Sequence, residues 1–223
     1  MKNYFLRTLI IAIAALGVLT VQSCNPDGCL NDCNQNGTCI EGDCFCDDGW
    51  MGANCDIPDP CFENTCNDNG VCLDGSCVCD VGYDGTDCNI IIRSLFTGVY
   101  DVEEICDTDP NFTDTYTSSI NESVEGVQFI TISNLYNFGS FDDVTPEDAT
   151  VLASVSNIGG TYSVLIESQR FEATSLQDFE IAGSGTYDPA TSVITLEYSI
   201  TDTVLDPFDP AYIDNCVQAY YPQ

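Results

Sequence analysis

CFCDDGWMGANC, residues 44–55, returns as CVCDVGYDGTDC at residues 77–88. Outward from these two stretches, the cysteines between residues 29 and 88 fall into two sets of six: Cys29, Cys33, Cys39, Cys44, Cys46, Cys55, and Cys61, Cys66, Cys72, Cys77, Cys79, Cys88. From the second member of each set onward, equivalent cysteines stand 33 positions apart. Self-similarity at a fixed period marks a repeated structural unit. Between cysteines, Glu41-Gly42 and Asp74-Gly75 have the form of two-residue hairpin turns, which demand positive φ and therefore favour glycine.

The spacing C-x3/4-C-x5-C-x4-C-x-C-x8-C, closing on C-x-C-x-x-G-[aromatic]-x-G-x-x-C, resembles that of epidermal-growth-factor-like (EGF-like) modules. Units of roughly 28 residues cannot bury enough apolar surface to fold alone, so disulfides must stand in for a core. Sequence alone leaves the pairing of six cysteines open. The resemblance implies first–third, second–fourth and fifth–sixth bridges: Cys29–Cys39, Cys33–Cys44, Cys46–Cys55, then Cys61–Cys72, Cys66–Cys77, Cys79–Cys88. It also implies a tight C-terminal loop built on Gly49 and Gly52, or Gly82 and Gly85, with Trp50 or Tyr83 packed over a disulfide. The calcium-binding branch of the family needs an aromatic and an Asp or Asn between the third and fourth cysteines. Here that gap holds only IEGD or LDGS, so no metal is expected in the modules.

Upstream, Lys2 and Arg7 precede an apolar run from Leu9 to Val21, shorter than the roughly 20 residues of a membrane span and suited to a signal peptide. The run ends on VQSC. With Ser23 before the cysteine and Val21 three before, this resembles a bacterial lipoprotein box, although Gln22 departs from the usual small or aliphatic residue. The 15 cysteines leave one over once twelve are assigned to modules and Cys106 is paired with Cys216. Lipid modification of Cys24 accounts for that residue, and several acyl chains would anchor the chain firmly. In a eukaryotic setting, Asn36-Gly37-Thr38, Asn111-Phe112-Thr113 and Asn121-Glu122-Ser123 would instead be glycosylation acceptors. The expected organisation is a signal peptide over 1–23, a lipidated tether over 24–28, modules over 29–55 and 61–88 joined by a proline-stiffened linker over 56–60, and a β domain over 89–223.

Composition removes several functions. Loss of residues 1–23 takes away Lys2 and Arg7 and no acid, moving the formal charge from −32 to −34 and leaving Arg93 and Arg170 as the basic residues. Such a surface repels phosphate backbones and anionic headgroups, so no nucleic-acid partner is expected and membrane contact is expected only through the lipid. The chain has no histidine. That eliminates Cys/His zinc sets, Ser–His–Asp and Cys–His nucleophile pairs, and the commonest general base.

After residue 89 the chain is rich in Thr, Ser, Ile, Val and Tyr, a β composition. The clearest strand is Val193–Ile200, with Ile194, Leu196, Tyr198 and Ile200 on one face; it pairs in expectation with Ile181–Tyr187 through DPATS. Further strands are expected at 97–106, 115–123, 127–134, 149–156, 161–168 and 213–221, making an antiparallel barrel or a sandwich. A Cys106–Cys216 bridge would make the first and last strands neighbours and favour the barrel. FTGVYDVEEIC resembles the G-x-W start of lipocalin-like barrels, with Tyr100 in place of the tryptophan; Tyr100 reads equally well as plain core. Asp107-Thr108-Asp109-Pro110-Asn111 opens like a calcium loop, but Phe112 and Ser118 replace the required glycine and glutamate, so it reads as a solvated turn.

The functional expectation is a mainly β, non-catalytic surface lipoprotein without cofactor, its modules a stalk presenting the β domain to an extracellular protein or glycan. The alternatives are a carrier of a small hydrophobic ligand and a carboxylate-based enzyme acting on glycans.

Overall fold

The computed structural model describes residues 28–140, 150–174, 177–202 and 213–223; the expected signal peptide and Cys24 lie outside them. The chain divides into two compact units, Met1–Asn64 and Thr65–Gln223.

In the first unit a 3-10 turn over Leu30–Gln35 leads into a hairpin of Gly37–Ile40 against Asp43–Cys46. Its turn residues Glu41 and Gly42 take φ of 51° and 98°, the left-handed pair that a two-residue loop requires. Cys29–Cys39, Cys33–Cys44 and Cys46–Cys55 are bridged. Cys33 and Cys55 are fully buried, so the sulfurs form the core. The residues expected to be linker do not simply run on: Ile57–Pro58 pairs back onto Trp50–Met51. Trp50 is partly exposed on this ladder.

The second unit begins with the equivalent hairpin, Gly70–Leu73 against Ser76–Cys79, and a ladder of Tyr83–Asp84 with Ile90–Ile91. Cys66–Cys77 and Cys79–Cys88 are bridged, and Cys72 is disulfide-bonded, as is Cys61 of the first unit. After a 3-10 turn over Ile92–Leu95 the chain enters eight strands. These are β1 Gly98–Cys106, β2 Asp114–Glu122, β3 Phe129–Ser133, β4 Thr150–Ile158, β5 Thr161–Thr174, β6 Gln177–Asp188, β7 Val193–Asp202 and β8 Ile213–Pro222.

Each strand pairs antiparallel with its sequence neighbours, and β8 pairs with β1 to close the barrel. The expected β6–β7 hairpin is present, with Ile181 opposite Ile200 and Tyr187 opposite Ile194. The two central strands run longer than expected, to Thr174 and from Gln177. A bulge between Ile166 and Gln169 puts one extra residue on β5. There β4 and β5 lose register, and the Gln169 side-chain amide takes the place of a ladder residue. Its Oε1 accepts from the Leu152 N–H at 3.0 Å and its Nε2 donates to the Leu152 carbonyl at 2.7 Å.

Inward positions follow the period of two. Val102, Ile120, Ile130, Ile132, Val151, Ile166, Ile181, Ile194, Leu196 and Ile200 are all buried in one cluster. Each such side chain contributes about 1.5–3 kcal/mol by leaving water. Gly183 faces Tyr198 across the β6–β7 ladder, where a Cβ would sit 2.4 Å from the Tyr198 Cβ. That missing side chain makes room for the tyrosine inside the barrel.

Outward positions include the exposed Asp101, Glu103 and Glu197. Charges on this wall interrupt the continuous apolar band that a membrane-spanning barrel needs. Among the described residues no helix is long and apolar enough to cross a membrane.

Candidate functional site

Up-and-down connectivity gives the barrel two unlike ends. β1, β3, β5 and β7 run away from residue 97, so one end gathers the connections 123–128, 159–160 and 189–192, and the other begins where β1 stops at Cys106.

The first end is plugged from the N-terminal side. Ile92 and Phe96 are buried in the barrel core, with the Phe96 ring 5.3 Å from that of Tyr187. The Tyr100 hydroxyl donates to the Phe96 carbonyl at 2.7 Å, and burial pushes that hydroxyl up to about 12. Arg93 reaches the carbonyls of Ser123 and Gly126 at 3.1 and 3.0 Å and pairs with Glu122 at 2.7 Å. The second disulfide module docks here too. Asp84 accepts from the Asn157 amide at 2.6 Å and from the Tyr162 hydroxyl at 2.7 Å; the Tyr162 bond, ahead of the others, lowers the Asp84 carboxyl below its ordinary value. Gly82, at φ +91°, lies so close to the β2–β3 connection that a Cβ would sit 2.7 Å from Val127 Cγ1.

The opposite end carries a polar cavity among the described residues. A cavity of about 230 Å³ is lined by Glu104, Cys106, Thr108, Asp109, Phe112, Asp114, Tyr136, Asn137 and Asp214. Its floor comes from β1 and β8, where Glu104 and Asp214 are both buried. Asp214 is held by the Thr108 hydroxyl at 2.7 Å, the Thr108 N–H at 3.2 Å and the Tyr136 hydroxyl at 3.1 Å. Asn137 donates to Asp114 at 2.7 Å. Residues 107–111 form an exposed turn, as read from the sequence, and Thr108 within it lines this cavity, tied to Asp214 more than 100 residues away.

Behind the floor lies a buried network. The Tyr198 hydroxyl donates to Glu104, as does Gln218 Nε2 at 2.6 Å, and the Tyr220 hydroxyl donates to Gln218 Oε1 at 2.6 Å. Burial raises the Glu104 carboxyl above its ordinary value, against the lowering effect of the bonds from Tyr198 and Gln218; nearby Asp114 raises it further. Burial likewise raises the hydroxyls of Tyr116, Tyr198 and Tyr220. Sequence reasoning missed Glu104, Asp214 and Gln218. The available signal was a polar residue at an inward position of an alternating strand, which must have a partner.

Cys106 and Cys216 are bridged at the inner edge of the mouth. Two groups of three ligand-type side chains occur among the described residues, Cys29 with Cys33 and Cys44, and Glu104 with Cys106 and Cys216. Every sulfur in them is committed to a disulfide and offers no thiolate, so neither has the donors of a metal centre. Asn36 of the first glycosylation tripeptide donates its side-chain amide to the Cys55 carbonyl at 3.0 Å.

Residues 29–58 and 62–91 each match the family described as Teneurin-like EGF domain, so this part of the chain consists of two EGF-like modules. The barrel lies beyond both matches. No solved structure matches the chain.

Proposed function

We propose that this is a non-catalytic cell-surface protein, tethered through a lipid on Cys24, whose EGF-like modules carry a β-barrel that binds an extracellular partner at the end opposite the second module. One observation carries the reading: the second EGF-like module, through Asp84, and the turn that follows it, through Arg93, clamp one end of the barrel, and the polar cavity lies at the far end from that module. A stalk fixed to one end presents the other. EGF-like modules and the disulfide framework fit an oxidising, extracellular setting.

The interior supports binding at the mouth over carriage inside the barrel. Isoleucines, leucines and tyrosines fill the inward positions, and the cavity at the mouth is lined by carboxyls that repel a hydrophobic ligand. The enzyme reading draws on Glu104, a buried carboxyl with a raised pKa beside a cavity. Against it, Tyr198 and Gln218 occupy that carboxyl as structural donors.

The test is to probe glycan and surface-protein arrays with the full-length protein and with Phe112→Ala, Asp109→Asn and Leu165→Ala variants. Saturable binding that the two mouth variants weaken and the outer-wall Leu165 variant leaves intact supports the reading. Binding that only the outer-wall variant weakens refutes it.

A further inference from the structure

We propose that Cys106–Cys216 is a thiol-exchange site: a small thiol opens the bridge by attacking the Cys106 sulfur, and Glu104 hands its proton to the departing Cys216 sulfur. The placement sets this bridge apart. One Glu104 carboxyl oxygen and both sulfurs lie within 4.8 Å of one another. The other cluster of this kind among the described residues, Cys29 with Cys33 and Cys44, holds no acid. Both sulfurs belong to one rung of the β1–β8 ladder, and Glu104 stands two positions before Cys106 on the same face of β1.

Access decides which sulfur is attacked. Cys106 is partly exposed and lines the cavity of about 230 Å³, many times the roughly 30 Å³ of a water molecule, whereas Cys216 is 2% exposed. Cys216 is therefore the leaving group. A buried sulfur departs slowly as a bare thiolate, because burial raises the pKa of a thiol and a more basic thiolate is a poorer leaving group. A proton delivered at that moment removes the penalty. Tyr198 and Gln218 both donate to Oε1 of Glu104, and Oε2 is the oxygen that can hold the proton. Burial, helped by the Asp114 charge, favours the protonated form. The gap from carboxyl to sulfur is one that a single water spans.

Two exchanges complete the reduction. The attacking thiolate bonds to Cys106 Sγ as the Sγ–Sγ bond breaks. The electron pair of that bond goes to Cys216, which takes the Glu104 proton and becomes a thiol. A second thiolate attacks the external sulfur of the mixed disulfide and expels Cys106, which is protonated from water, as Glu104 is in turn. Two thiols become one disulfide, and the protein gains two electrons and two protons. Opened, the rung keeps its backbone pairing. The segment after β1 stays held by the Asp107 N–H on the Asn215 carbonyl at 2.9 Å and by the Thr108 hydroxyl on Asp214 at 2.7 Å, so the barrel survives the exchange.

The experiment exposes the full-length protein, without denaturant, to 2-mercaptoethanol, an uncharged monothiol that the acidic surface does not repel. Alkylation stops the reaction, and mass spectrometry maps the cysteines. The expected result is that Cys106–Cys216 opens before the EGF-like bridges, with the mercaptoethanol adduct on Cys106. Glu104→Gln should slow the opening about tenfold. Divided by thiolate concentration, the rate for the parent should fall as pH rises through the folded value of Glu104, while the variant stays flat. Tyr116, Tyr198 and Tyr220, which face Glu104, keep their protons over that range because burial raises them. Asp114 and Asp214 are common to both proteins, so the difference between the profiles reports Glu104. The parent's profile decides even where the substitution unsettles the network. A bridge that stays closed, an adduct on Cys216, earlier opening of the EGF-like bridges or a flat parent profile overturns the proposal.

Discussion

Cys106 and Cys216 stand directly opposite each other in the β1–β8 ladder, their Cα atoms 4.1 Å apart and their sulfurs joined across 110 positions of sequence. Covalent closure and hydrogen-bonded closure thus coincide at one rung, next to the cavity. Because the loop is long, the chain-entropy model assigns the bond up to about 4.7 kcal/mol, and typical measured bridges give about 2–4 kcal/mol. The double variant Cys106→Ala, Cys216→Ala should unfold at clearly lower temperature than the parent, by about 10 °C. Calorimetry checks this, and equal melting temperatures would show that the ladder alone closes the barrel.

Glu104 should make the barrel sensitive to rising pH. Its carboxyl is raised above the ordinary 4.5 chiefly by burial. A raised acid contributes stability that is complete below its unfolded value and lost as pH climbs through its folded value. Melting temperature should therefore decline as pH rises from the ordinary carboxyl value to the raised folded one and level off above it, and Glu104→Gln should flatten the decline. Parallel curves for parent and variant over pH 4 to about 9 would assign the effect to other groups.

Arg93 ties the approach to β1 onto the β2–β3 connection. Arg93→Ala removes an ion pair with Glu122 and strips two carbonyls, Ser123 and Gly126, of their donor. Bonds from a charged donor contribute about 1.5–3 kcal/mol, so the loss should be of that order and should speed proteolysis at 123–128. Asp84, lowered mainly by its bond from Tyr162, adds an acid-side signature. Its contribution is present above the unfolded value and is lost as pH falls through the lowered one. Tyr162→Phe should reduce that dependence in a titration of hydrogen exchange at residues 157–162.

Cys24 should carry acyl groups and begin the mature chain. Cys24→Ala should abolish labelling by a radioactive fatty acid and release the protein from the membrane fraction, whereas an unmodified N-terminus elsewhere contradicts the tether.

Features of the fold carried by local chemistry were legible in the sequence. Asp74-Gly75 could only be a turn, and Ile194, Leu196, Tyr198 and Ile200 alternate visibly enough to define both a strand and its buried face. The long β5–β6 hairpin reads shorter in the sequence than in the structure, where Glu167, Glu172 and Asp178 break the apolar alternation on which a strand assignment relies. The site was largely illegible, because it is made of long-range pairs. Nothing near Thr108 announces Asp214, and nothing near Asp84 announces Tyr162. Glu104 sat in plain alternation between Val102 and Cys106, yet a lone acid in a chain with 36 of them carries no local signal. Gly82 reads from the sequence as part of a tight loop within its module, and its second role against Val127 exists only once the barrel is formed.

The most direct measurement of the central claim is hydrogen–deuterium exchange on the full-length protein with and without a partner selected on the arrays. Binding at the cavity end predicts added protection at residues 107–114 and 134–137, with no change at 159–160 and 189–192. Protection confined to 159–160, 189–192 or the EGF-like hairpins would contradict it.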